Sequence, residues 1–268
     1  MKEYRIKPGQ DVKLASIPTL PEKSGDDFKE DIKLKTAKLC LKLADLQNVL
    51  FAEHQRRVLV LLQGLDTSGK DGTVRNVFSS INPAGLKVEA FKAPTQPELE
   101  HDYLRRVHAK APGNGEIAIF NRSHYEDVLA VRVQELVPEK IWRRRYRHIL
   151  EFERMLAEEG TLILKFFLHI SKDEQKKRLE QRLEQKAKNW KFDPSDVRDR
   201  GLWDKYWRAY EEAIERTSTD DAPWYVIPAD KKWWRDYCIT ETIVSALEEL
   251  PMEYPKPKVD VSRIKISD

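Results

Sequence analysis

The chain has 268 residues, of which 40% are hydrophobic and 35% carry a charge. This composition excludes a disordered chain, and the apolar runs are far too short to cross a bilayer, which excludes a membrane protein. The 48 basic and 45 acidic side chains leave a net charge of only +3, which argues against a general nucleic-acid-binding protein but permits a local basic channel. Cys40 and Cys238 form no C-x-x-C pair, and no apolar segment follows Met1–Arg5 as it would in a signal peptide. Both features predict a cytoplasmic location.

The predicted elements alternate between helices and short apolar strands. Residues 1–29 contain prolines and glycines without steady periodicity and are predicted to form an N-terminal arm. Leucines at helical spacing predict a helix over residues 30–54, with an apolar stripe made of Leu39, Leu43, Leu46 and Leu50. The predicted strands that follow are Val58–Leu62, Leu86–Phe91, Glu116–Phe120, Leu162–His169 and Trp224–Pro228.

Nearly continuous apolar strands separated by amphipathic helices predict an α/β fold with a five-stranded parallel sheet covered by helices on both faces. We expect one domain over residues 30–250, followed by a tail over residues 251–268 that contains three prolines. Ligands of such sheets bind at the carboxyl ends of the strands. The segments after Leu62 and Phe120 are therefore candidate binding segments.

The first of these segments, Gly64–Asp71, reads Gly-Leu-Asp-Thr-Ser-Gly-Lys-Asp. Its spacing is typical of a phosphate-binding P-loop. The two glycines let the backbone approach an anion, the N–H groups at the following helix start point towards it, and Lys70 adds a positive charge. Strand–turn–helix units that bind nothing also show this spacing by chance, but the apolar strand before it and the helix after it favour a phosphate site.

Two acidic residues distinguish this loop from most P-loops. Asp71 stands where a Ser or Thr usually holds Mg²⁺, and Asp66 lies inside the loop. A carboxylate that faces phosphates is repelled unless a cation lies between them. The sequence therefore predicts that Asp66 binds a metal ion.

The second candidate segment, Asn121–Val128, begins where the third strand ends. Many P-loop enzymes carry a metal-binding acid at this strand end, but here Asn121 cannot supply a charge. The guanidinium of Arg122 could bind a transferring phosphoryl group with two hydrogen bonds. Glu126 and Asp127 lie within about one helical turn of it. They could bind a metal, orient the acceptor or stabilise the start of a helix, and the residues leave these alternatives open.

Basic residues elsewhere are further phosphate candidates. Arg178 and Arg182 lie one turn apart on a helix predicted over Asp173–Gln185, where an anion between them would relieve their repulsion. This pattern predicts a lid that closes on phosphates, although a solvated helix with a Glu174–Arg178 pair is the alternative. Lys92 follows the second predicted strand at its carboxyl end and is a candidate for the same reason.

The run Arg143–Arg147 resembles a nucleic-acid-binding patch at first sight. On a helix, however, the arginines occupy the polar faces, while the buried stripe is formed by Trp142, Tyr146, Ile149, Phe152 and Leu156. An ion-paired, solvated helix is the better interpretation, with at most a few arginines lining an anion channel. We therefore expect no nucleic-acid partner.

Three segments together resemble the second family of polyphosphate kinases, namely Gly64–Thr73, Phe120–Val128 and Phe166–Gln175. The resemblance runs from about residue 30 to about residue 250, and aspartate at the position of Asp71 is itself a family trait. It implies the P-loop kinase fold, similar to thymidylate kinase, with a helical lid over about residues 172–203. It also implies a reversible, Mg²⁺-dependent transfer of the terminal phosphoryl group of inorganic polyphosphate to AMP or ADP, which forms ADP or ATP.

The resemblance also implies roles for individual residues. Asp66 would hold Mg²⁺, or Mn²⁺ in its place, with Asp127 as a second candidate, while Lys70, Arg122 and Arg178 would surround the transferred group. The implied nucleotide-binding residues, Asn121, Glu126 and Asp127, are similar to those of the subgroup that accepts both mono- and diphosphates, whereas the diphosphate-preferring subgroup usually has Asp at position 121. With Lys92 and Arg182 added from the charge pattern, the expected polyphosphate-binding residues are Gly64, Thr67, Ser68, Gly69, Lys70, Asp71, Gly72, Thr73, Lys92, Arg122, Arg178 and Arg182.

Two alternatives remain beside a polyphosphate-dependent kinase. An ATP-dependent nucleoside or nucleoside-monophosphate kinase would use the same scaffold but ignore polyphosphate. A non-catalytic polyphosphate-binding protein would retain polyphosphate without phosphorylating a nucleotide. The N-terminal arm and the aromatic C-terminal helix indicate subunit contacts, and because the family is commonly oligomeric, we expect a homodimer or homotetramer.

Overall fold

The computed structural model describes residues 1–261, 264 and 266. The strands are β1 (Arg5–Ile6), β2 (Arg57–Gln63), β3 (Leu86–Ala90), β4 (Ile117–Asn121), β5 (Thr161–His169) and β6 (Trp224–Pro228). The helices are α1 (Asp26–Glu53), α2 (Lys70–Val77), α3 (Gln96–Leu99), α4 (Arg105–His108), α5 (Ala130–Val133), α6 (Glu139–Glu158), α7 (Lys172–Glu184), α8 (Lys186–Asn189), α9 (Pro194–Gly201), α10 (Trp203–Thr217) and α11 (Lys232–Glu248).

The strands form one sheet in the order β1-β6-β5-β2-β4-β3. Strands β2 to β6 run parallel, which confirms the five predicted strands and their direction. The prediction omitted β1, which pairs antiparallel to β6 with Arg5 opposite Tyr225. A strand of two residues is too short to show any periodicity in the sequence. The N-terminal arm thus packs on the edge of its own sheet.

The side chains of β2 alternate between two hydrophobic cores, one on each face of the sheet. Leu59 and Leu61 pack into a core shared with α6 and α10. Val58, Val60 and Leu62 pack into a second core shared with α1 and α11. Every one of these side chains is fully buried. Burial on both faces explains why the strand reads as a continuous apolar run rather than as an alternating one.

The long helices agree with the predicted patterns. In α1, Leu43 and Leu50 of the predicted stripe are fully buried, and Leu39 and Leu46 pack beside them. Helix α1 begins at Asp26, four residues before the predicted start, after a glycine N-cap. The predicted stripe of α6 is buried. Its arginines form ion pairs, among them Arg143 with Glu139 and Glu212, which supports the solvated interpretation over a nucleic-acid patch.

The C-terminal tail shows no α-helix or β-strand in the part that the structure describes, and the predicted tail lies partly outside the described residues. Among the helices of residues 1–261, none combines the length and the hydropathy that a bilayer-crossing segment would need. The division into arm, domain and tail stays a prediction.

The strand register brings the candidate segments to one edge of the sheet. Leu62 of β2 lies opposite Asn121 of β4 and opposite Phe166 of β5. Because these strands are parallel, the chain leaves all of them at the same edge, into Gly64–Asp71, into Arg122 and into α7. Segments that are far apart in the sequence therefore meet in one site.

Candidate active site

The loop Gly64–Asp71 turns tightly between β2 and α2, which begins at Lys70. Gly64 has a φ of 147°. A Cβ atom at Gly64 would lie 2.9 Å from the carbonyl oxygen of Leu168, so no larger residue fits there. Thr67, a β-branched residue, is held in the left-handed region with a φ of 66°. Such strain persists only where the surroundings impose it and is common at ligand-binding sites.

Three hydroxyl groups of this region are buried without a hydrogen-bond partner among the described residues, namely Thr67 Oγ1, Ser68 Oγ and Thr73 Oγ1. Buried polar groups are normally satisfied by protein, water or a ligand. The first turn of α2 adds backbone N–H groups that have no partner within the helix. Together these groups offer the hydrogen-bond donors that an anion needs, as the P-loop pattern predicts.

Lys70 lies under this loop and is only 7% exposed. Its Nζ donates to the carbonyl oxygens of Gly64 at 2.7 Å and Leu65 at 3.3 Å. Burial, reinforced by the positive charge of Arg122, lowers the pKa of Lys70 to about 8, although Asp66 and other carboxylates oppose the shift. The protonation of Lys70 should therefore depend on whether a ligand is bound, because a phosphate nearby would favour the protonated form.

Arg122 follows β4 with a left-handed backbone, φ 62°. Its N–H donates to the carbonyl oxygen of Leu62 at 3.0 Å, which fixes it beside β2. Its Nη2 donates to Oδ1 of Asp66 at 2.6 Å. The nearby carboxylate of Glu126, with a further contribution from Asp66, raises the pKa of Arg122 despite its burial. Arg122 is thus a permanent cation beside the P-loop, as the sequence predicted.

Asp71 joins three elements. Its Oδ1 accepts a hydrogen bond from Nδ2 of Asn121 at 2.7 Å, and its Oδ2 accepts one from Nζ of Lys191 at 3.1 Å. Burial opposes ionisation, but these two hydrogen bonds outweigh it and lower the pKa of Asp71. Sequence reasoning missed Lys191, because a lysine between two short helices has no pattern that would single it out.

Asp127 lies close to Arg122 in sequence but has a different partner. Its Oδ1 and its carbonyl oxygen both accept hydrogen bonds from Nη1 of Arg145, at 2.9 and 3.0 Å. Burial raises the pKa of Asp127, with the charge of Arg145 opposing the shift. This pairing favours a structural role, and metal binding by Asp127 stays a prediction, as do the nucleotide-binding roles of Asn121 and Glu126.

Two basic residues of the predicted lid, Arg178 and Arg182, are already paired within the protein. Arg178 is 7% exposed, and its Nε donates to Glu174 at 2.7 Å. Arg182 Nη1 donates to Asp196 Oδ2 at 2.9 Å. Lys92, after β3, is exposed. Phosphate contacts by these three basic residues stay predictions, and the hydrogen bonds of Arg178 to the carbonyl groups of the P-loop favour a supporting role.

A buried polar network supports the segment that carries Arg122. Glu153 of α6 and Lys165 of β5 are fully buried and form an ion pair at 2.5 Å. Tyr125 donates to Glu153 at 2.9 Å, and His124 contacts the same carboxylate at 3.1 Å. Since His124 and Tyr125 follow Arg122 within three positions, this network fixes the course of the chain at the site. No sequence pattern predicted it, because its members come from separate elements.

The carboxylates near the loop fit a divalent cation in part. Burial, with a further contribution from the negative charge of Asp66, raises the pKa of Asp196, although the charge of Arg182 opposes the shift. A cation would relieve the repulsion between these two carboxylates, and hard divalent ions prefer such oxygen ligands. The described residues contain no preformed group of three or more His, Cys, Asp or Glu suited to a metal. A cation held by Asp66 would therefore take further ligands from phosphates or water, as Mg²⁺ commonly does.

A family model for polyphosphate kinase 2 matches residues 27–255 of the chain. A Meiothermus ruber protein named AMP/ADP-polyphosphate phosphotransferase is 52% identical over 266 residues, covering 99% of this chain and 100% of that protein. A Rhodopseudomonas palustris protein named ADP-polyphosphate phosphotransferase is 40% identical, covering 95% of this chain and 92% of that protein.

Solved structures agree with these sequence matches. The crystal structure of polyphosphate kinase 2 from Arthrobacter aurescens TC1 superposes with a TM-score of 0.92 at 41% identity, covering 97% of this chain and 93% of that one. The sheet order, the parallel strands and the loop at the end of β2 are thus those of a P-loop kinase fold, which confirms the fold expected from the sequence.

Proposed function

Because the chain belongs to the polyphosphate kinase 2 family, we propose that it transfers the terminal phosphoryl group of inorganic polyphosphate to AMP and to ADP, reversibly and with a divalent cation. The observation that carries this proposal is the 52% sequence identity, over 99% of this chain, with the Meiothermus ruber AMP/ADP-polyphosphate phosphotransferase. The P-loop, with its unpartnered buried hydroxyl groups, supports it independently, since both substrates are phosphates.

The acceptor range includes both AMP and ADP in this proposal. Position 121 is an asparagine, the residue of the subgroup that resembles this chain and accepts both nucleotides. The Asn121 side chain donates a hydrogen bond of 2.7 Å to Asp71, in the first turn of α2. A neutral amide there adds no further negative charge next to the phosphate of the acceptor.

The mechanism follows from charge and position. An oxygen of the acceptor phosphate attacks the terminal phosphorus of the polyphosphate chain, and the bond from that phosphorus to the bridging oxygen breaks. The protein contributes positioning and the neutralisation of negative charge in the transition state. Lys70 and Arg122, which both contact the loop, supply positive charge, and the backbone N–H groups at the start of α2 supply donors.

Asp66 is the residue proposed to hold the cation, which we take to be Mg²⁺, with Mn²⁺ as a substitute. When bound, such a cation neutralises phosphate oxygens and helps to align donor and acceptor. With Asp66 bound to the cation, Arg122 would still have the carboxylate of Glu126 nearby. Glu126 is the group that contributes most to the raised pKa of Arg122. A cytoplasmic location and a homodimeric or homotetrameric assembly complete the proposal, with no nucleic-acid partner.

A single assay tests the function. The protein is incubated with polyphosphate, Mg²⁺ and either AMP or ADP, and the nucleotides are separated by anion-exchange chromatography. We expect ADP and ATP from AMP, and ATP from ADP, with Mn²⁺ replacing Mg²⁺ and with no product after chelation. Product from ATP and a nucleoside, unaffected by polyphosphate, would instead identify an ATP-dependent kinase. Retention of polyphosphate without any new nucleotide would identify a binding protein.

A further inference from the structure

Helix α7 holds the backbone of the P-loop through two side chains. Gln175 Nε2 donates to the carbonyl oxygen of Asp66 at 3.2 Å. Arg178 Nη1 donates to the carbonyl oxygens of Thr67 at 2.9 Å and Ser68 at 3.0 Å. Three successive carbonyl groups of the loop therefore accept hydrogen bonds from one helix.

The guanidinium of Arg178 has no donor left for a ligand. Besides the two carbonyl groups of the loop, its Nε donates to Glu174 at 2.7 Å. Its Nη2 donates to the carbonyl oxygens of Ala229 and Asp230 at 2.8 and 3.0 Å. These five hydrogen bonds equal the five N–H groups of an arginine side chain, and the residue is only 7% exposed. Arg178 thus links the P-loop to the segment that follows β6.

The orientation of these carbonyl groups decides where the loop amides point. In a trans peptide unit the C=O and the next N–H lie on opposite sides of the chain. With the carbonyl oxygens of Asp66 and Ser68 directed at α7, the N–H groups of Thr67 and Gly69 face the other way, away from α7. Thr67 itself has a left-handed backbone that a β-branched residue rarely adopts without external support.

The start of α7 is itself fixed. Ser171 caps the helix by accepting a hydrogen bond from the N–H of Glu174 at 3.1 Å, and its own N–H donates to Asp230 Oδ1 at 2.8 Å. The second oxygen of Asp230 accepts from Thr19 at 2.8 Å. Arg178 and Gln175 therefore project from a firmly held helical turn, which suits a support better than a mobile part of a lid.

We propose that Arg178 and Gln175 are positioning residues that hold the P-loop in its anion-binding conformation, and that Arg178 acts through the loop rather than by touching the transferred phosphoryl group. The proposal rests on the proposed function in so far as the anion is a phosphate chain. It assigns Arg178 a role different from the transition-state contact that the sequence implied, and it gives Gln175 a role that the sequence did not suggest.

The test begins with ligand-free protein. Hydrogen–deuterium exchange is measured for peptides covering residues 64–73, in which Ser68 and Thr73 donate backbone hydrogen bonds. We expect Arg178→Gln and Gln175→Leu each to speed exchange in this segment by about tenfold or more, the effect of losing buried hydrogen bonds, while peptides from β5 and α6 keep their wild-type rates. Lys177→Gln is the control, because it removes one positive charge from an exposed position of α7, and it should leave the exchange rates unchanged.

The second readout separates support from direct contact. Tripolyphosphate binding is measured by calorimetry without nucleotide, and we expect both variants to bind about tenfold more weakly or worse. Arg178→Lys should not restore binding, because one ammonium group cannot satisfy carbonyl groups on both sides. A transition-state role would instead lower kcat for Arg178 variants only, leave exchange and tripolyphosphate affinity unchanged, and be partly restored by lysine. That result would overturn the proposal.

The outcomes also separate this inference from the proposed function. Exchange and tripolyphosphate binding are read without any turnover, so a protein without transferase activity would refute the proposed function and leave these measurements valid. Wild-type exchange over residues 64–73 in a folded Gln175→Leu variant would refute the inference even if the enzyme is active. Circular dichroism and Tm establish folding first, and if Arg178→Gln does not fold, Arg178→Lys and Gln175→Leu decide the matter.

Discussion

The Asp66 carboxylate and the Arg122 guanidinium form an ion pair with Oδ1 and Nη2 2.6 Å apart. The pair joins the P-loop to the residue after β4, two segments separated by more than fifty positions in the chain. Both side chains are only partly exposed, 21% for Asp66 and 40% for Arg122. The sequence assigned Asp66 to the cation and Arg122 to the phosphate. Because the two side chains lie in direct contact, a change at either should alter the environment of the other.

Asp66→Asn tests the acid of this pair. The amide keeps the shape but removes the charge that would hold a divalent cation, so we expect polyphosphate-dependent turnover to fall by at least about 10³-fold. The same loss is expected for Lys70→Ala, which removes the positive charge that we propose acts on the phosphate chain. Tm should change little for Asp66→Asn. Asp45→Asn, an exposed aspartate on α1, is the matched control, and turnover near wild type in Asp66→Asn would refute the assignment.

The lowered pKa of Lys70 predicts that the activity depends on pH. Its pKa is lowered from 10.5 to about 8, so the folded protein loses this charge as pH rises through about 8. We expect kcat/KM for polyphosphate to fall above that pH, measured with nucleotide and metal saturating. Lys70→Arg keeps its charge throughout this range, so any residual activity of that variant should not show the same fall. An identical decline in both proteins would assign the titration to another group.

The same shift predicts a sign for stability. Between pH 8 and 10.5, set by the lowered and the ordinary pKa of Lys70, the unfolded chain binds more protons at this residue than the folded one. The free energy of unfolding therefore gains a contribution that grows with pH in this window. Urea unfolding of the wild type and of Lys70→Met across the window measures this contribution as the difference between the two pH dependences. A difference that does not change with pH would contradict the lowered pKa.

Gly69→Ala should inactivate the enzyme through the P-loop. A Cβ atom at Gly69 would lie 2.0 Å from Nη1 of Arg235, a fully buried side chain from α11, and the backbone φ is 104°. Either the loop or the buried guanidinium must therefore shift, and a φ of 104° is itself strained for alanine, so we expect tripolyphosphate binding and turnover to be lost. Gly160→Ala is the control, since Gly160 also has a positive φ of 85° but open space around it. That variant should lose about 1–2 kcal/mol of stability and keep its activity.

Glu153→Gln should destabilise the protein strongly. The change leaves the fully buried ammonium of Lys165 without its carboxylate partner, and breaking a buried ion pair typically costs about 3–5 kcal/mol. Urea unfolding measures this loss. Glu151→Gln on the exposed face of the same helix removes only a surface pair with Arg147 and should cost less than about 1 kcal/mol. Equal losses in the two variants would show that the buried pair does not contribute as proposed.

The sequence predicted those features that depend on local patterns. The apolar run Val58–Leu62, the glycine spacing of Gly64–Asp71 and the leucine stripe of α1 each follow from periodicity or turn chemistry within one segment, and the structure confirms the strand, the turn and the helix. The helix that carries Arg178 was also predicted within one residue at each end. Neighbouring residues determine such features, because backbone hydrogen bonding and side-chain spacing act over a few positions.

Contacts between distant residues required the tertiary structure. The spacing of Arg178 and Arg182 predicted a lid for phosphates, with a Glu174–Arg178 pair on a solvated helix as the alternative. The structure contains the Glu174–Arg178 pair, and it also directs Arg178 to the carbonyl groups of the P-loop and Arg182 to Asp196. No spacing rule could show the contacts with the P-loop and with Asp196, since these partners lie on other elements. The buried pair of Glu153 and Lys165 and the contact of Lys191 with Asp71 were missed for the same reason.

The sequence by itself therefore determined the α/β elements, the P-loop and the family resemblance, because these are encoded in local spacing and residue type. Only the tertiary structure decided which partner each charged side chain takes. Parallel pairing aligns the ends of β2, β4 and β5, and this alignment brings Asp66, Arg122 and the first turn of α7 together. The attraction between two charges does not depend on their separation in the sequence. The partner of each charged side chain is therefore set by which segments the fold brings close together.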